Sequence, residues 1–209
     1  STARVWNLPP TLGIDARLDN IGAFAKTGTI AVATSSGGVG VKGDGSTGLY
    51  SRTTSVVPQA MWMAAQFVCN SVTTNQKVAY SLGSASVTTG AYCAISSGDS
   101  LATNLVFQLR AIDSSVAIGK TGPVPVVGTV YSCIAVFPSN LKADAYVYVN
   151  GVKYTTDTGA SADITFVGAN TLVNESVGAL KRGTTAVYSS DTVLFTARGI
   201  GQIPESLAR

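Results

Sequence analysis

Apolar and polar residues alternate with a period of two along much of the chain, which is typical of half-buried β-strands. The clearest case is the segment Asp144–Tyr154. Its residues divide between two sides, with Tyr146, Tyr148 and Asn150 on one and Ala145, Val147 and Val149 on the other. Asn150-Gly151 supplies the two residues that a type I′ turn needs at positive φ. The segment therefore predicts a tight hairpin, with a return strand over Val152–Tyr154.

Further strand-like segments follow one another at the spacing of a β-sandwich, separated by clusters of turn-forming residues. They are Thr29–Thr34, Met61–Cys69, Gln76–Leu82, Ala91–Ser96, Leu105–Ile112, Val126–Phe137, Leu172–Ala179 and Asp191–Arg198. Ser35–Gly48, with six glycines, predicts a flexible loop or a pair of turns. A 3.6-residue apolar period is not sustained anywhere, and only the tail predicts a short helical turn, Glu205–Arg209 behind Pro204. The pattern predicts an all-β fold with two antiparallel sheets.

The first 30 residues predict an extended arm, because their apolar residues have no clean period and include a Pro pair. This arm must bury its apolar side chains against its own domain or against a neighbour, and the sequence leaves both open. The candidate partner contacts are Trp6, Leu8, Pro9, Leu12 and Ile14. We expect residues 1–40 to form the arm and the Gly-rich loop, and residues 41–209 to form one sandwich domain.

The amount and distribution of charge limit the kinds of partner that this chain could bind. Charged residues make up 12% of the 209 residues, about half the usual globular share, and the net charge is +3. The densest basic point is Lys181-Arg182, without interleaved aromatics, which disfavours nucleic-acid binding. The sequence contains no apolar run near 18 residues and no charged-then-apolar leader, so we expect neither a membrane span nor secretion. Cys69 and Cys133 lie in apolar runs and predict buried thiols.

Catalytic and metal-binding patterns are weak. Without histidine, Ser-His-Asp, Cys-His and His-containing zinc sites are impossible, although counting alone leaves a Ser–Lys pair open. The string Asp157-Thr158-Gly159-Ala160 matches an aspartic-protease signature, but that chemistry needs a second copy of the motif, and the chain has none. Asp157 and Asp163 are the loosely clustered acids that a calcium ion would need. Gly38–Gly43 matches G-x-G-x-x-G without a helix to follow it. We expect no enzyme activity, no cofactor and no metal.

The second half of the chain resembles the laminin-G-like branch of the concanavalin A-like lectin/glucanase superfamily. The resemblance is carried by Val130–Phe137 followed by Ala145–Val152, with its Tyr-Val-Asn-Gly, and by Val57–Phe67, Val177–Leu180 and Val193–Leu207. It spans roughly residues 45–209 and implies a jelly-roll sandwich. Glycosidases of that superfamily use paired carboxylates on one strand, whereas the two glutamates here, Glu175 and Glu205, have no acidic neighbour.

Two hypotheses for function follow. Low charge, the apolar arm and the lack of catalytic groups favour a non-enzymatic structural protein of a phage or viral particle, such as a capsid decoration or tail-associated component. It would be made in the host cytoplasm, located in the virion, and bind copies of itself as a homo-oligomer or a major capsid or tail protein. Laminin-G-like domains are common in such proteins, so the resemblance agrees. The alternative is a lectin-like module that binds a surface glycan through Tyr146, Tyr148 and Tyr154. The pattern favours another role for these tyrosines, in which their rings pack across the sandwich with the hydroxyls at its rim.

Overall fold

The structure, a computed structural model, describes residues 3–7, 24–57, 59–72, 77–86, 90–98, 104–110, 117–166, 171–201 and 203. Within these residues, the regular secondary structure is almost entirely β-strand. The strands are β1 (Ala3–Asn7), β2 (Ala25–Thr27), β3 (Ile30–Ser35), β4 (Gly38–Gly43), β5 (Leu49–Val56), β6 (Met61–Val68), β7 (Lys77–Ser84), β8 (Tyr92–Gly98), β9 (Val106–Arg110), β10 (Ile118–Thr121), β11 (Val130–Phe137), β12 (Tyr146–Val149), β13 (Val152–Tyr154), β14 (Leu172–Val177), β15 (Ala179–Arg182), β16 (Thr185–Tyr188) and β17 (Thr192–Ile200). A 3-10 turn covers Lys142–Asp144.

Two large antiparallel sheets form a sandwich, as predicted. Sheet A has the strand order β13-β12-β11-β6-β17-β4-β3, with β1 also paired to β17. Sheet B has the order β10-β9-β8-β7-β14-β5-β2, and β15 and β16 form a separate hairpin. Alternating residues of both sheets meet in one continuous core, whose largest fully buried side chains include Phe67, Tyr80 and Phe107. Burial of these rings is the main stabilising contribution of the core.

The hairpin predicted around Asn150-Gly151 is confirmed. Val149 pairs with Val152, and the two turn residues have φ of 50° and 80°. The two sides of β12 also differ as the alternation requires, because Val147 and Val149 face the main core, whereas Tyr146 belongs to a second apolar cluster outside sheet A. The predicted burial of Cys69 and Cys133 is confirmed as well, and all three cysteines are free.

Of the flexible loop or turn pair predicted over Ser35–Gly48, turns occur at residues 36–37 and 44–48, but the stretch between them is a strand that was not predicted. Residues 38–43 form β4, which pairs with β3 and, at its end, with β17. Glycine occurs here because the backbone packs closely. A Cβ on Gly40 would lie 2.5 Å from the carbonyl oxygen of Val193, and one on Gly43 would lie 2.7 Å from that of Ser189. The G-x-G-x-x-G match therefore lies on a strand of sheet A, between β17 and β3.

The turn from β4 to β5 is organised by Asp44. Its carboxylate accepts hydrogen bonds from the backbone N–H groups of Ser46, Thr47 and Gly48 and from the Thr47 hydroxyl. These donors, led by the N–H of Thr47, hold the pKa of Asp44 well below its usual range. An exposed turn that is rich in glycine is thereby fixed in one conformation.

Other predicted boundaries shift. The strand expected to begin at Val126 begins at Val130, and β5, β10 and the hairpin β15–β16 were not separately predicted. Strands β2 to β4, which lie in or next to the predicted arm and loop, belong to the two sheets. The division at residue 40 stays a prediction, and the helical turn predicted at Glu205–Arg209 lies outside the described residues.

Candidate functional site

The predicted contact arm lies largely outside the described residues. Trp6 belongs to β1, whose backbone pairs with β17 through Ala3 with Gly199 and Asn7 with Thr196. This part of the arm therefore contacts its own domain. Leu8, Pro9, Leu12 and Ile14 lie outside the described residues, and their role as partner contacts stays a prediction.

The structure brings two of the three predicted glycan-facing tyrosines together. Tyr146 and Tyr148 lie on the outer face of sheet A, with ring centroids 5.9 Å apart and planes at 89°. The Lys153 ammonium lies 4.3 Å from the Tyr146 centroid, and Tyr148 is only 3% exposed. Tyr154 instead packs against the main core between the sheets. The three rings do not form a single platform, and contact of any of them with a glycan stays a prediction.

The outer face of sheet A is apolar around these tyrosines. Trp62, Ala64, Val136 and Ala197 form a buried cluster there, and Tyr146 packs against it. Trp62 is 8% exposed and lies against the backbone of Gly199. A ring covered to this extent has no open face on which a sugar would stack.

The outer face of sheet B carries the hairpin β15–β16. The Ser81 hydroxyl donates to the carbonyl of Ala179 over 2.8 Å, and Leu180, 1% exposed, packs against Val78 and Ala94. The approach of the two backbones is so close that a Cβ on Gly83 would lie 2.0 Å from the carbonyl oxygen of Lys181. The hairpin therefore packs on the outer face of sheet B. Its side forms a raised surface, or ledge, next to β8 and β9.

Four polar or aromatic side chains form this hairpin ledge, which we define as Tyr92, Gln108, Arg110 and Arg182. The Tyr92 hydroxyl donates to Gln108 Oε1 over 3.0 Å, and the Arg182 guanidinium lies 5.3 Å from the Tyr92 ring centroid. Arg110 pairs with Tyr92 in the strand register. Gln108, Arg110 and Arg182 are half-buried, and contacts with Tyr92 hold the side chains of Gln108 and Arg182 in place. The only sequence signal was the basic pair Lys181-Arg182.

The buried Glu175 has two basic partners. Glu175 is fully buried between the sheets, where Oε2 accepts from Arg52 of sheet B and Arg198 of sheet A at 3.0–3.1 Å. Tyr80 donates to Glu175 Oε1 over 2.6 Å, and burial followed by the charge of Glu175 raises the Tyr80 pKa well above its usual range. This buried cluster links the sheets and does not face a cleft.

The protease-like string forms a structural strap. Residues 155–162, which we call the strap, run along β10 through backbone hydrogen bonds from Thr121 to Thr156, from Thr158 to Gly119 and from Ala162 to Ala117. The Asp157 carboxylate accepts from the buried Lys120 and lies 3.3 Å from the Lys142 ammonium. Asp163 accepts the backbone N–H of Lys142 instead of converging with Asp157. Two ammonium groups thus occupy the position that a calcium ion would need at Asp157.

A third cluster of polar side chains surrounds the buried Asp191. The Asp191 carboxylate is buried and accepts from the hydroxyls of Ser97 and Ser189 and from the Asn70 backbone N–H. Burial raises the pKa of Asp191, although these hydrogen bonds oppose the shift. Beside it, the Lys77 ammonium donates to the hydroxyls of Ser71 and Ser190. A Ser–Lys contact therefore exists, but with the lysine as the donor.

Within the part of the chain that the structure describes, no three His, Cys, Asp or Glu side chains come close enough to hold a metal ion. Among those same residues, no helix has the length and apolarity needed to cross a membrane. Burial raises the pKa of Cys93 and Cys133 far above the usual range, and burial together with the charge of Asp191 raises the pKa of Cys69, so none of the three thiols is activated as a nucleophile.

No protein-family model matches the sequence, and no curated protein matches it. Solved structures do match. Domain 4 of AbnA, an extracellular GH43 arabinanase of Geobacillus stearothermophilus solved with arabinotriose, has a TM-score of 0.63 at 15% identity, over 91% of this chain and 90% of that domain. The CBM40 of the Ruminococcus gnavus IT-sialidase, bound to α2,6-sialyllactose, has a TM-score of 0.53 at 12% identity, over 73% and 82%.

A Trypanosoma rangeli sialidase, in complex with 2,3-difluorosialic acid, matches over 96% of this chain at 13% identity and a TM-score of 0.58. The chain covers only 34% of that sialidase. At such identities the likeness shows the fold alone. That fold is a β-sandwich consistent with the concanavalin A-like architecture predicted from the sequence.

Proposed function

We propose that this chain is a non-catalytic, lectin-like domain that binds a carbohydrate. The observation that carries the proposal is the nearly complete mutual coverage with domain 4 of the arabinanase, whose structure contains arabinotriose. The CBM40 of the Ruminococcus gnavus sialidase, bound to sialyllactose, adds support from a second sugar-binding sandwich. Both are modules that accompany a glycosidase, so the support is for binding rather than for hydrolysis.

The hairpin ledge is the surface that we assign to the sugar. Planar amide and guanidinium groups donate paired hydrogen bonds, which match neighbouring hydroxyls or a carboxylate on a sugar ring. Gln108 is orientated by the Tyr92 hydroxyl, and Arg182 is held over the Tyr92 ring, so both donors are arranged before a ligand binds. Such preorganisation lowers the entropy cost of binding. The covered aromatic rings of sheet A lack this combination.

The positions of the acids support the absence of catalysis. Glycoside hydrolysis needs two carboxyl groups that face one bond, about 5–10 Å apart. Glu175 is held by two guanidinium groups inside the sandwich, and Asp157 by lysines on the strap. None of the four ledge residues is acidic. These two carboxylates therefore stabilise the fold, and neither of them faces the ledge.

The hypothesis of a particle component rests on composition and on the resemblance, and none of the three neighbours reported above supports it. The lectin-like alternative is preferred for that reason. The two functions are compatible, since a domain carried on a particle would also bind a glycan.

Titration calorimetry with arabino-oligosaccharides and sialylated lactose, preceded by a glycan array, tests the proposal. We expect the wild-type chain to bind at least one glycan and to leave it unhydrolysed. Gln108→Ala and Arg182→Ala should each weaken binding at least about tenfold, or 1.4 kcal/mol. Tyr146→Ala, on the outer face of sheet A, is the matched control and should bind normally.

Two outcomes would overturn the assignment at different levels. If the wild-type chain binds no glycan on the array or at millimolar concentration, the function is wrong. If binding survives both ledge substitutions and is lost in Tyr146→Ala, the function stands and the site moves to the tyrosines of sheet A. Release of free sugar during the titration would contradict the non-catalytic part.

A further inference from the structure

Besides β1, which pairs with β17 alone among the described strands and contains Arg4, the large sheets have four edge strands, and three of these are short, charged or covered. At one edge of sheet A, β13 has three residues with Lys153 in the middle. At the edges of sheet B, β2 has three residues around Lys26, and β10 is hydrogen-bonded to the strap. Short strands, lysines and covering segments are the usual means by which proteins prevent pairing at sheet edges.

The fourth edge, β3, has none of these features. Its six residues, Ile30–Ser35, contain no charge and no proline. One side of the strand pairs with β4 in unbroken register, and no strand in the part of the chain that the structure describes pairs with the other side. Ala31, Val32 and Thr34 are exposed, so the unpaired backbone is open to solvent.

The register shows which backbone groups are available. Ser35 and Gly38 close a two-residue turn, and hydrogen-bonded pairs alternate along an antiparallel ladder. The N–H and C=O groups of Val32 and Thr34 therefore point away from β4. The Val32 side chain lies on the core side of sheet A, opposite the buried Val41, yet it is 54% exposed. At this edge an apolar side chain that faces the core is therefore not covered by the opposite sheet.

We propose that β3 pairs antiparallel with β3 of a second copy of this chain, which joins two copies of sheet A into one continuous sheet. A strand of this kind is complementary to itself across a two-fold axis. With Val32 opposite Thr34 of the second copy, the pair forms about four backbone hydrogen bonds around facing Ala33 residues. The neutral sequence places no like charges opposite each other, and each Val32 gains apolar cover.

A contact built on six residues is small, so the dimer is weak. Interfaces well below about 1,200 Å² are typical of transient complexes, and we expect a dissociation constant in the range of tens of micromolar to about 1 mM. The inference does not depend on sugar binding, because the hairpin ledge lies on the other sheet. Two weakly associated copies would present two ledges and increase the avidity for a repeated ligand.

Sedimentation equilibrium from about 10 μM to 1 mM tests the proposal. The weight-average mass should rise towards twice the monomer mass. Val32→Lys places two ammonium groups near the two-fold axis and should raise the dissociation constant at least about tenfold. Val152→Lys is the matched control, because Val152 is 56% exposed on the core side of the opposite edge of sheet A. It should associate like the wild type.

A cysteine cross-link gives an independent readout. Facing residues in a non-hydrogen-bonded antiparallel pair have Cα atoms about 4.5 Å apart, within disulfide range. The three native thiols are buried, so Ala33→Cys should form a disulfide-linked dimer on mild oxidation. A chain that stays monomeric at 1 mM, equal weakening by both lysine substitutions, or association without an Ala33→Cys cross-link would each overturn the proposal. The last result would indicate another dimer contact.

Discussion

At the scale of single residues, the cluster around Glu175 decides how the two sheets meet. Arg52 and Arg198 reach the carboxylate from strands of opposite sheets, so one buried anion fixes the position of sheet A relative to sheet B. Arg52 also lies 4.6 Å from the Phe24 ring. A buried charge is tolerated only when such partners are in place, because its desolvation is costly.

Replacing Glu175 by Gln should be among the more damaging single substitutions. It leaves two buried guanidinium groups without their carboxylate, and we expect a loss of about 3–5 kcal/mol in the free energy of unfolding. Urea unfolding at pH 7 measures this. Asp144→Asn is the control, since this exposed acid bonds a neighbouring hydroxyl and should cost less than about 1 kcal/mol. Equal losses in the two variants would contradict the role given to the cluster.

No pattern in the sequence predicts the cluster around Glu175. Glu175 lies 123 residues from Arg52 and 23 from Arg198, so spacing gives no hint of their contact. The lack of an acidic neighbour argues in the sequence against Glu175 as a glycosidase acid, but nothing there indicates its structural role, which depends on the pairing of β14 with β5 and β7. The hairpin ledge was missed for the same reason, because strand pairing and a folded-over hairpin bring Tyr92, Gln108 and Arg182 together.

At the scale of elements, the sequence predicts turns that depend on adjacent residues, but it does not predict packing between distant segments. Asn150-Gly151 predicts its turn because two adjacent residues must adopt positive φ, a requirement that the local sequence satisfies. In Gly38–Gly43 the glycines serve another purpose, since Gly40 and Gly43 give space to backbone that arrives from β17 and from the segment before it. The sequence does not distinguish a glycine that allows two backbone segments to pack closely from a glycine that makes a loop flexible.

Gly83→Ala tests such an approach between β7 and the hairpin β15–β16. Its Cβ would lie 2.0 Å from the Lys181 carbonyl oxygen, so the hairpin must move away from sheet B. We expect a loss of about 2–3 kcal/mol and faster amide hydrogen exchange in β15 and β16. Gly159→Ala is the control, because its Cβ would meet nothing within 4 Å. Exchange in the hairpin that stays at the wild-type rate would contradict the packing.

At the scale of the whole molecule, the strap closes the sandwich along one side. It follows β13 at the edge of sheet A and then runs beside β10 at the edge of sheet B. The Lys120 side chain is 3% exposed, and its ammonium donates to Asp157 and to the Thr155 carbonyl. Together with the Lys142 ammonium and the backbone hydrogen bonds of the strap, this contact holds the connection between the two sheets and covers the β10 edge.

The strap should make part of the stability of the molecule dependent on pH. Burial raises the pKa of Asp157, but the hydrogen bonds and charges of Lys120 and Lys142 outweigh it and lower the pKa below the ordinary 3.8. With the folded pKa depressed, the unfolded chain takes up the proton first as pH falls. The stabilisation is therefore complete above about pH 5 and is lost as the pH falls through 3.8 towards the folded pKa.

Asp157→Asn isolates this contribution. At pH 7 the substitution should cost about 1–3 kcal/mol, less than for a fully buried pair because the Asp157 side chain is 33% exposed. Urea unfolding of both proteins between pH 7 and pH 2 measures the difference, and the shift at Asp44 is common to both and cancels. The difference should shrink steadily below pH 4, because a protonated Asp157 bonds Lys120 no better than the amide does. A difference that stays constant across this range would contradict a contribution from the ionised Asp157 carboxylate.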